Sequence, residues 1–433
     1  MTKKTILGSD LNSNDALGWT LLMAGALLLP ACGGAGAPAS LPDAGAGTTT
    51  AQQTFQYETP PGQETHWCQY FRLPRSDAAE QMLTGYRWSW NGLHHWSLYR
   101  TVADLPPPSE LDFDHPFDCF QPGAMKYAAP ASILIVGAQS GERTFPPGMG
   151  FALHSEEVVL VQAHTINASS TVQNPTLEVG LELAAPDRVS TRLGLIQFYD
   201  PYIVVPTQAD ARAQMRCRFP SDLTILGATT HQHVRGTGVS VYLDGPDGQP
   251  GATPAVQSWS WDHPTVLESQ LRVQAGSYAH TICSYHGDDR PLVVQGQDKL
   301  DNEMCMFIGF YYPVVAPEDG GGGFENCLQT PLPGGVGDGF GTGATSCADT
   351  LACVRSCPPT DAPRPGDGRI DVGACWQSCV VNSCAGASAP LDALLYCVRQ
   401  QCATECTGSD ACNACVAAKC TAPYLACQAQ ACP

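Results

Sequence analysis

Asp301-Asn-Glu-Met-Cys-Met-Phe-Ile-Gly-Phe-Tyr-Tyr-Pro313 passes from an acidic opening into an apolar and aromatic run. Phe, Ile and Tyr at this density, closed by a proline that cannot donate to a ladder, predict a buried strand over 304–312. A methionine in such a strand is ordinarily core filler. The histidines upstream change that reading. His94-His95, His164, His231-Gln-His233 and Met304 follow one another at 70, 67 and 71 residues, counted from His94, His164 and His233. Five of the 11 histidines and one thioether therefore fall into two sets of three.

Working outward, the texture on both sides is short strands between Pro and Gly turns. Trp67–Leu73, His95–Tyr99, Ser132–Val136, Glu157–Gln162 and Thr176–Glu182 precede a break at Ala185-Pro-Asp-Arg188. Leu193–Phe198, Thr224–Leu226, Gly238–Tyr242, Leu271–Val273 and Ala279–Cys283 follow it. No stretch here has a helical period, so an all-β fold of two tandem antiparallel β-sandwich (jelly-roll) domains is expected, over 54–188 and 189–330. After a Gly-rich linker at 331–346, residues 347–433 form a small disulfide-rich module. Cys353/Cys357, Cys375/Cys379 and Cys402/Cys406 recur at i and i+4 among Ala, Val, Leu and Gln, which predicts helical hairpins stapled to one another, with the connectivity open. A zinc site at Cys412-Asn-Ala-Cys415 and a calcium loop at Gly366–Asp371 are weaker readings, the latter lacking its early acidic ligands.

At 433 residues with 22 basic against 41 acidic side chains, the chain carries a net charge of −19, which excludes a nucleic-acid or anionic-membrane surface. Lys3 and Lys4 followed by the apolar run Leu17–Ala31, too short to span a bilayer comfortably, read as a signal peptide over 1–31. Its end, Leu29-Pro-Ala-Cys32, resembles a bacterial lipobox with Cys32 as the lipidated residue. The Gly, Ala, Pro and Thr of 32–53 would then be a flexible tether. Of 21 cysteines, setting Cys32 aside leaves six in 68–327 and 14 in 347–432, both even. Full pairing implies an oxidising, extracytoplasmic compartment. Gly33 points to the outer membrane or cell surface, with membrane contact only through the anchor.

Two histidines at i and i+2 of a strand share a face, so His231 and His233 can chelate one ion without distorting the backbone. Adjacent His94 and His95 do so only at a strand end or bulge. His164, ending an apolar strand, would by itself be an ordinary core histidine. Three imidazoles suit zinc or copper, whereas two imidazoles and a thioether favour copper, Cu(I) above all.

These four motifs, with Trp67-Cys-Gln-Tyr-Phe-Arg-Leu-Pro74, Phe145-Pro-Pro-Gly-Met-Gly-Phe151 and Gln162-Ala-His164, resemble the type II copper, ascorbate-dependent monooxygenases over roughly residues 54–330. The resemblance implies two copper ions per chain. His94, His95 and His164 would hold an electron-transfer copper, and His231, His233 and Met304 an oxygen-binding copper. Gln162 would lie near the active site and ascorbate would be the reductant. It also implies the disulfides Cys68–Cys119, Cys217–Cys327 and Cys283–Cys305. The implied reaction uses O2 to turn a substrate C–H into an alcohol.

The chain departs from the peptide-hydroxylating members. Their arginine two residues before the HxH is Thr229 here, and their carboxylate-binding tyrosine and asparagine align with Ile308 and Met306. A guanidinium clamp is missing. A small or apolar substrate is therefore expected rather than a C-terminal glycine peptide. The other reading is a non-catalytic copper-binding surface lipoprotein, with the Cys-rich tail binding a partner.

Overall fold

The structure, a computed structural model, describes residues 48–92, 95–101, 111–119, 128–137, 140–200, 202–261, 264–267, 270–296, 301–314, 341–358, 373–402, 405–407 and 409–432. The stretch read as a leader, with Cys32, and the residues His94, Cys327 and Gly366–Asp371 lie outside these.

The first half contains β1 (Thr48–Gln56), β2 (Glu64–Arg72), β3 (Glu80–Asn91), β4 (His95–Thr101), β5 (Phe117–Asp118), β6 (Ala128–Gly137), β7 (Gly141–Thr144), β8 (Met149–His154), β9 (Val158–Ile166) and β10 (Thr176–Ala184). The second contains β11 (Thr191–Tyr199), β12 (Val204–Pro206), β13 (Asp210–Arg218), β14 (Leu223–His231), β15 (Gly236–Asp244), β16 (Pro254–Ser258), β17 (Leu271–Val273), β18 (Tyr278–His286), β19 (Leu292–Val294) and β20 (Met306–Tyr312).

One nine-stranded sheet serves both halves. Its order is β1-β10-β3-β8-β11-β20-β14-β17, with β7 on β3. The halves meet where β11 pairs parallel with β8 over Thr191–Leu193. A five-stranded sheet, β5-β2-β9-β4-β6, faces the first half of the large sheet, and a four-stranded sheet, β13-β18-β15-β16, faces the second. Alternation fills the space between. Trp96 and Leu98 of β4 and Val159, Val161 and Ala163 of β9 meet Leu83, Leu177, Val179 and Leu181 in one core. Met215, Val239, Val241 and Cys283 meet Ile196, Phe198, Ile225 and Phe307 in the other.

The all-β reading of 54–330 holds, with boundary differences. Thr48–Gln56 is a strand hydrogen-bonded along β10, its first six residues inside the stretch read as tether, because β10 would otherwise expose an open edge. The strand expected at 304–312 begins at Met306, so Met304 lies in the segment leading into it.

Among its described residues the tail folds as five α-helices: α1 (Cys347–Ser356), α2 (Ala374–Val381), α3 (Ala385–Gln401), α4 (Ser409–Lys419) and α5 (Thr421–Ala429). Helices of this length are marginal alone. Here Cys347–Cys427, Cys353–Cys379, Cys357–Cys375, Cys384–Cys432, Cys397–Cys420, Cys402–Cys415 and Cys406–Cys412 staple them, so Cys412 and Cys415 are not zinc ligands. The i,i+4 pairs of α1 and α2 bridge each other. Ser346 caps α1 by accepting from the Asp349 N–H.

The described end of the stretch read as linker packs onto the module. Residues 341–345, read as linker, bond to Ser383, Ser388 and Val381. Leu351, Val380, Leu391 and Leu394 extend the core of the second half. The buried Gln377 accepts from the backbone N–H of Ile203 and Gln295 at 3.2 and 2.8 Å, and donates to the Gln295 carbonyl at 3.3 Å.

Candidate metal centres

In the first half, the outer face of the five-stranded sheet carries the polar residues that alternate with its core. The register sets His66 of β2 opposite His164 of β9, and His164 opposite His95 of β4. Three imidazoles thus form one row across three neighbouring strands. His164 is fully buried. Its Nδ1 stands 3.2 Å from Nδ1 of His95, and its Nε2 stands 2.6 Å from Oε1 of Glu64. A carboxylate at that distance accepts, so Nε2 carries the proton and Nδ1 the lone pair. His66 lies flat on His164, with ring centroids 4.1 Å apart, planes 6° from parallel, and Nε2 3.6 Å from the same carboxylate oxygen. Gln162, two residues before His164 on the same face, accepts from the Tyr99 hydroxyl at 2.9 Å. The Cys68–Cys119 disulfide ties this face to the segment ending at Cys119.

In the second half, β14 ends at His231, and 232–235 carry the chain from the large sheet to β15 in the opposite layer. The HxH therefore straddles a strand end rather than lying within a strand. The two rings sit 5.2 Å apart and nearly perpendicular. Glu303 fixes this crossing: one carboxylate oxygen accepts from the His233 N–H at 2.9 Å, and the other from the Arg235 N–H at 2.8 Å. Glu303 is fully buried, and burial pushes its carboxyl up to about 7 against the pull of these donors and the Arg235 guanidinium. Arg235 also binds Asp288 at 2.6 Å, a bond that holds the Asp288 carboxyl below its usual range. Nδ1 of His233 lies 3.0 Å from the Asn302 carbonyl, which only accepts, so Nδ1 carries the proton and Nε2 the lone pair. Met304 follows Glu303 directly, its carbonyl accepting from the Tyr285 hydroxyl at 2.9 Å. The Cys283–Cys305 disulfide anchors the next residue.

The family model for the copper type II ascorbate-dependent monooxygenase C-terminal domain matches residues 192–320, which hold the whole second cluster. Residues 192–320 are thus similar to the C-terminal domain of that family. The chain is similar to DBH-like monooxygenase protein 1 of Mus musculus, 22% identical over 58% of this chain and 45% of that one. The Gallus gallus protein of the same name is also 22% identical, with the same coverage. Dopamine beta-hydroxylase of Equus caballus is 23% identical, again over 58% of this chain and 45% of the other. The chain thus spans less than half the length of these relatives.

The donors of the two clusters fit copper. Two Nδ1 atoms facing each other at 3.2 Å repel unless a proton or cation lies between them. Two donors on one tetrahedral ion, with bonds of about 2.0 Å, stand about 3.3 Å apart. The second cluster pairs imidazoles with the chain neighbourhood of a thioether, a set suited to Cu(I). Of the expected ligands, the structure brings His95 to His164, brings His231 to His233, and places Met304 one residue beyond the Glu303 contact. Cys217 is disulfide-bonded. Sequence reasoning missed Glu64 and His66, although Glu-x-His in a strand is the same shared-face pattern that singled out 231–233. It also left Glu303 without a role.

Proposed function

We propose that this chain is a copper monooxygenase that uses O2 and a one-electron reductant such as ascorbate to hydroxylate a C–H bond of a small or apolar molecule. The supporting observation is that two imidazole clusters, each with a histidine tautomer fixed by a neighbouring acceptor, sit one in each half of the fold, the first on the five-stranded sheet and the second where β14 leaves the large sheet. Bound copper, at His94/His95/His164 and at His231/His233/Met304, would supply one-electron redox chemistry and oxygen activation. The chain supplies position. Glu303 clamps the His233–Arg235 backbone from within, and Tyr285 and the Cys283–Cys305 disulfide hold the segment that carries Met304. The cross-strand pairs His231↔Met306 and Thr229↔Ile308 place methyl groups beside His231, where a carboxylate-binding substrate site would need a guanidinium. That pairing supports an apolar substrate. An oxidising, extracytoplasmic location agrees with the disulfides, and a lipid on Cys32 would hold the chain at a membrane. The Cys-rich tail would be free to meet a partner on its outer face.

The test is copper stoichiometry and ascorbate-dependent oxygen uptake on the purified full chain, beside Met304→Ala and His164→Ala. Two coppers per chain are expected, with uptake lost in both variants and the three-histidine copper retained in Met304→Ala. Fewer than two coppers, or uptake no faster than that of free copper, would leave a copper-binding surface lipoprotein instead.

A further inference from the structure

The row of imidazoles on the first half extends beyond the residues that the family resemblance assigns. Glu64 and His66 occupy alternate positions of β2, so both side chains stand on the face that carries His164. Both are largely buried, with 18% and 10% of their side chains exposed. We propose that Glu64 is a positioning residue for the first copper, with His66 as its second support: Glu64 fixes the tautomer and basicity of His164, and His66 holds ring and carboxylate in place. This rests on the reading of His95 and His164 as copper ligands.

Three geometric facts carry it. The 2.6 Å contact between His164 Nε2 and Glu64 Oε1 is a charge-assisted hydrogen bond, shorter than the separation of about 3.3 Å that two donors on a shared ion would keep. Glu64, His66 and His164 could by type hold an ion of their own, their donor atoms lying within 4.8 Å of one another. The short bond and the stacked rings argue otherwise. Parallel imidazoles 4.1 Å apart direct their lone pairs into separate planes, so His66 and His164 are poorly placed to share one ion. The remaining nitrogen of His164 faces His95. A carboxylate on the far nitrogen of a ligating imidazole makes that imidazole a stronger donor, which favours Cu(II) over Cu(I). In this chain the first copper would then hold its electron less tightly than it would without Glu64.

The experiment is copper affinity and a potentiometric titration of the first copper, followed by electron paramagnetic resonance. It uses the full chain, in a Met304→Ala background to isolate that site. Glu64→Gln keeps an acceptor oxygen but no charge. It should weaken first-site copper binding about 10- to 100-fold and raise the reduction potential, with thermal unfolding little changed. His66→Phe keeps the stacked ring and should give a smaller shift of the same sign. Wild-type potential and affinity in Glu64→Gln would overturn the proposal, as would a third ion per chain that is lost in this variant. If His164→Ala left the copper content intact, the ligand assignment itself would fall, a different result from silent Glu64→Gln.

Discussion

A single buried carboxylate shows how residue-level chemistry and stability meet in this fold. Asp200 is fully buried, accepts from the Tyr202 N–H at 2.8 Å through one oxygen, and has no bonded partner among the described residues on the other. Burial raises its carboxyl well above the usual value, the backbone donors opposing only in part. A folded-state value above the unfolded one means that the native state holds the extra proton. Stability from this group is therefore complete below the unfolded value and is lost as pH rises towards the folded one. Asp200→Asn cannot ionise. It should melt a few degrees above the natural chain at pH 8 and lose that advantage towards about pH 4, where both are neutral. Melting curves across this range decide it, and a difference independent of pH would mean the burial cost is not electrostatic. The histidine pair of the second site shows the limit of reading residues singly. His231 and His233 stand out by spacing, but the tautomer of His233 depends on the Asn302 carbonyl, a partner 69 residues away.

Elements were legible where one face is wet, as in β10 and β18, or where the run is apolar almost throughout, as in β9. β9, β10 and β18 alternate or run apolar, and each lies close to where the sequence places it. β3 did not stand out because it is paired on both sides and buried on both faces through most of its length, which erases the period of two. β13, Asp-Ala-Arg-Ala-Gln-Met-Arg-Cys-Arg, has clean alternation, but its Ala, Arg, Gln and Met favour helix, and pairing with β18 overrides that preference. Glu64 and His66 were invisible for another reason. Nothing in the order of residues says that β2, β9 and β4 are neighbours, and only the register turns three scattered histidines into a row. The helices of the tail were legible because cysteines at i and i+4 carry their own period. Their docking was not, because it depends on Gln377, an ordinary residue in sequence. Removing its side chain leaves the buried N–H groups of Ile203 and Gln295 without an acceptor. Gln377→Ala should then cost about 2–6 kcal/mol, since each of the two orphaned donors costs about 1–3 kcal/mol. Chemical denaturation measures it, and a loss under about 0.5 kcal/mol would show that water takes over these bonds.

On the scale of the whole molecule, the tail and the second half are one structure. The parallel bridge Gln295↔Glu303 links the strand end that Gln377 grips to the residue before Met304. The cysteine-rich helices therefore brace the ground on which that methionine stands. Arg143 of the first half lies over the Phe310 ring of the second, 5.9 Å from its centroid, a further tie across the junction.

The large sheet that passes through both halves works as a ruler. A hinge between the halves would have to tear the ladder at Thr191–Leu193 and pull Arg143 off Phe310, so the gap between the two clusters is set by the large sheet and by the five-stranded sheet packed on its first half. Pulsed dipolar spectroscopy on the chain loaded with two Cu(II) ions should return one narrow spread of distances, unchanged by a bound substrate. A broad or two-peaked spread would mean that the ruler bends. If it does not, any electron that passes between the clusters meets the same tunnelling length on every turnover.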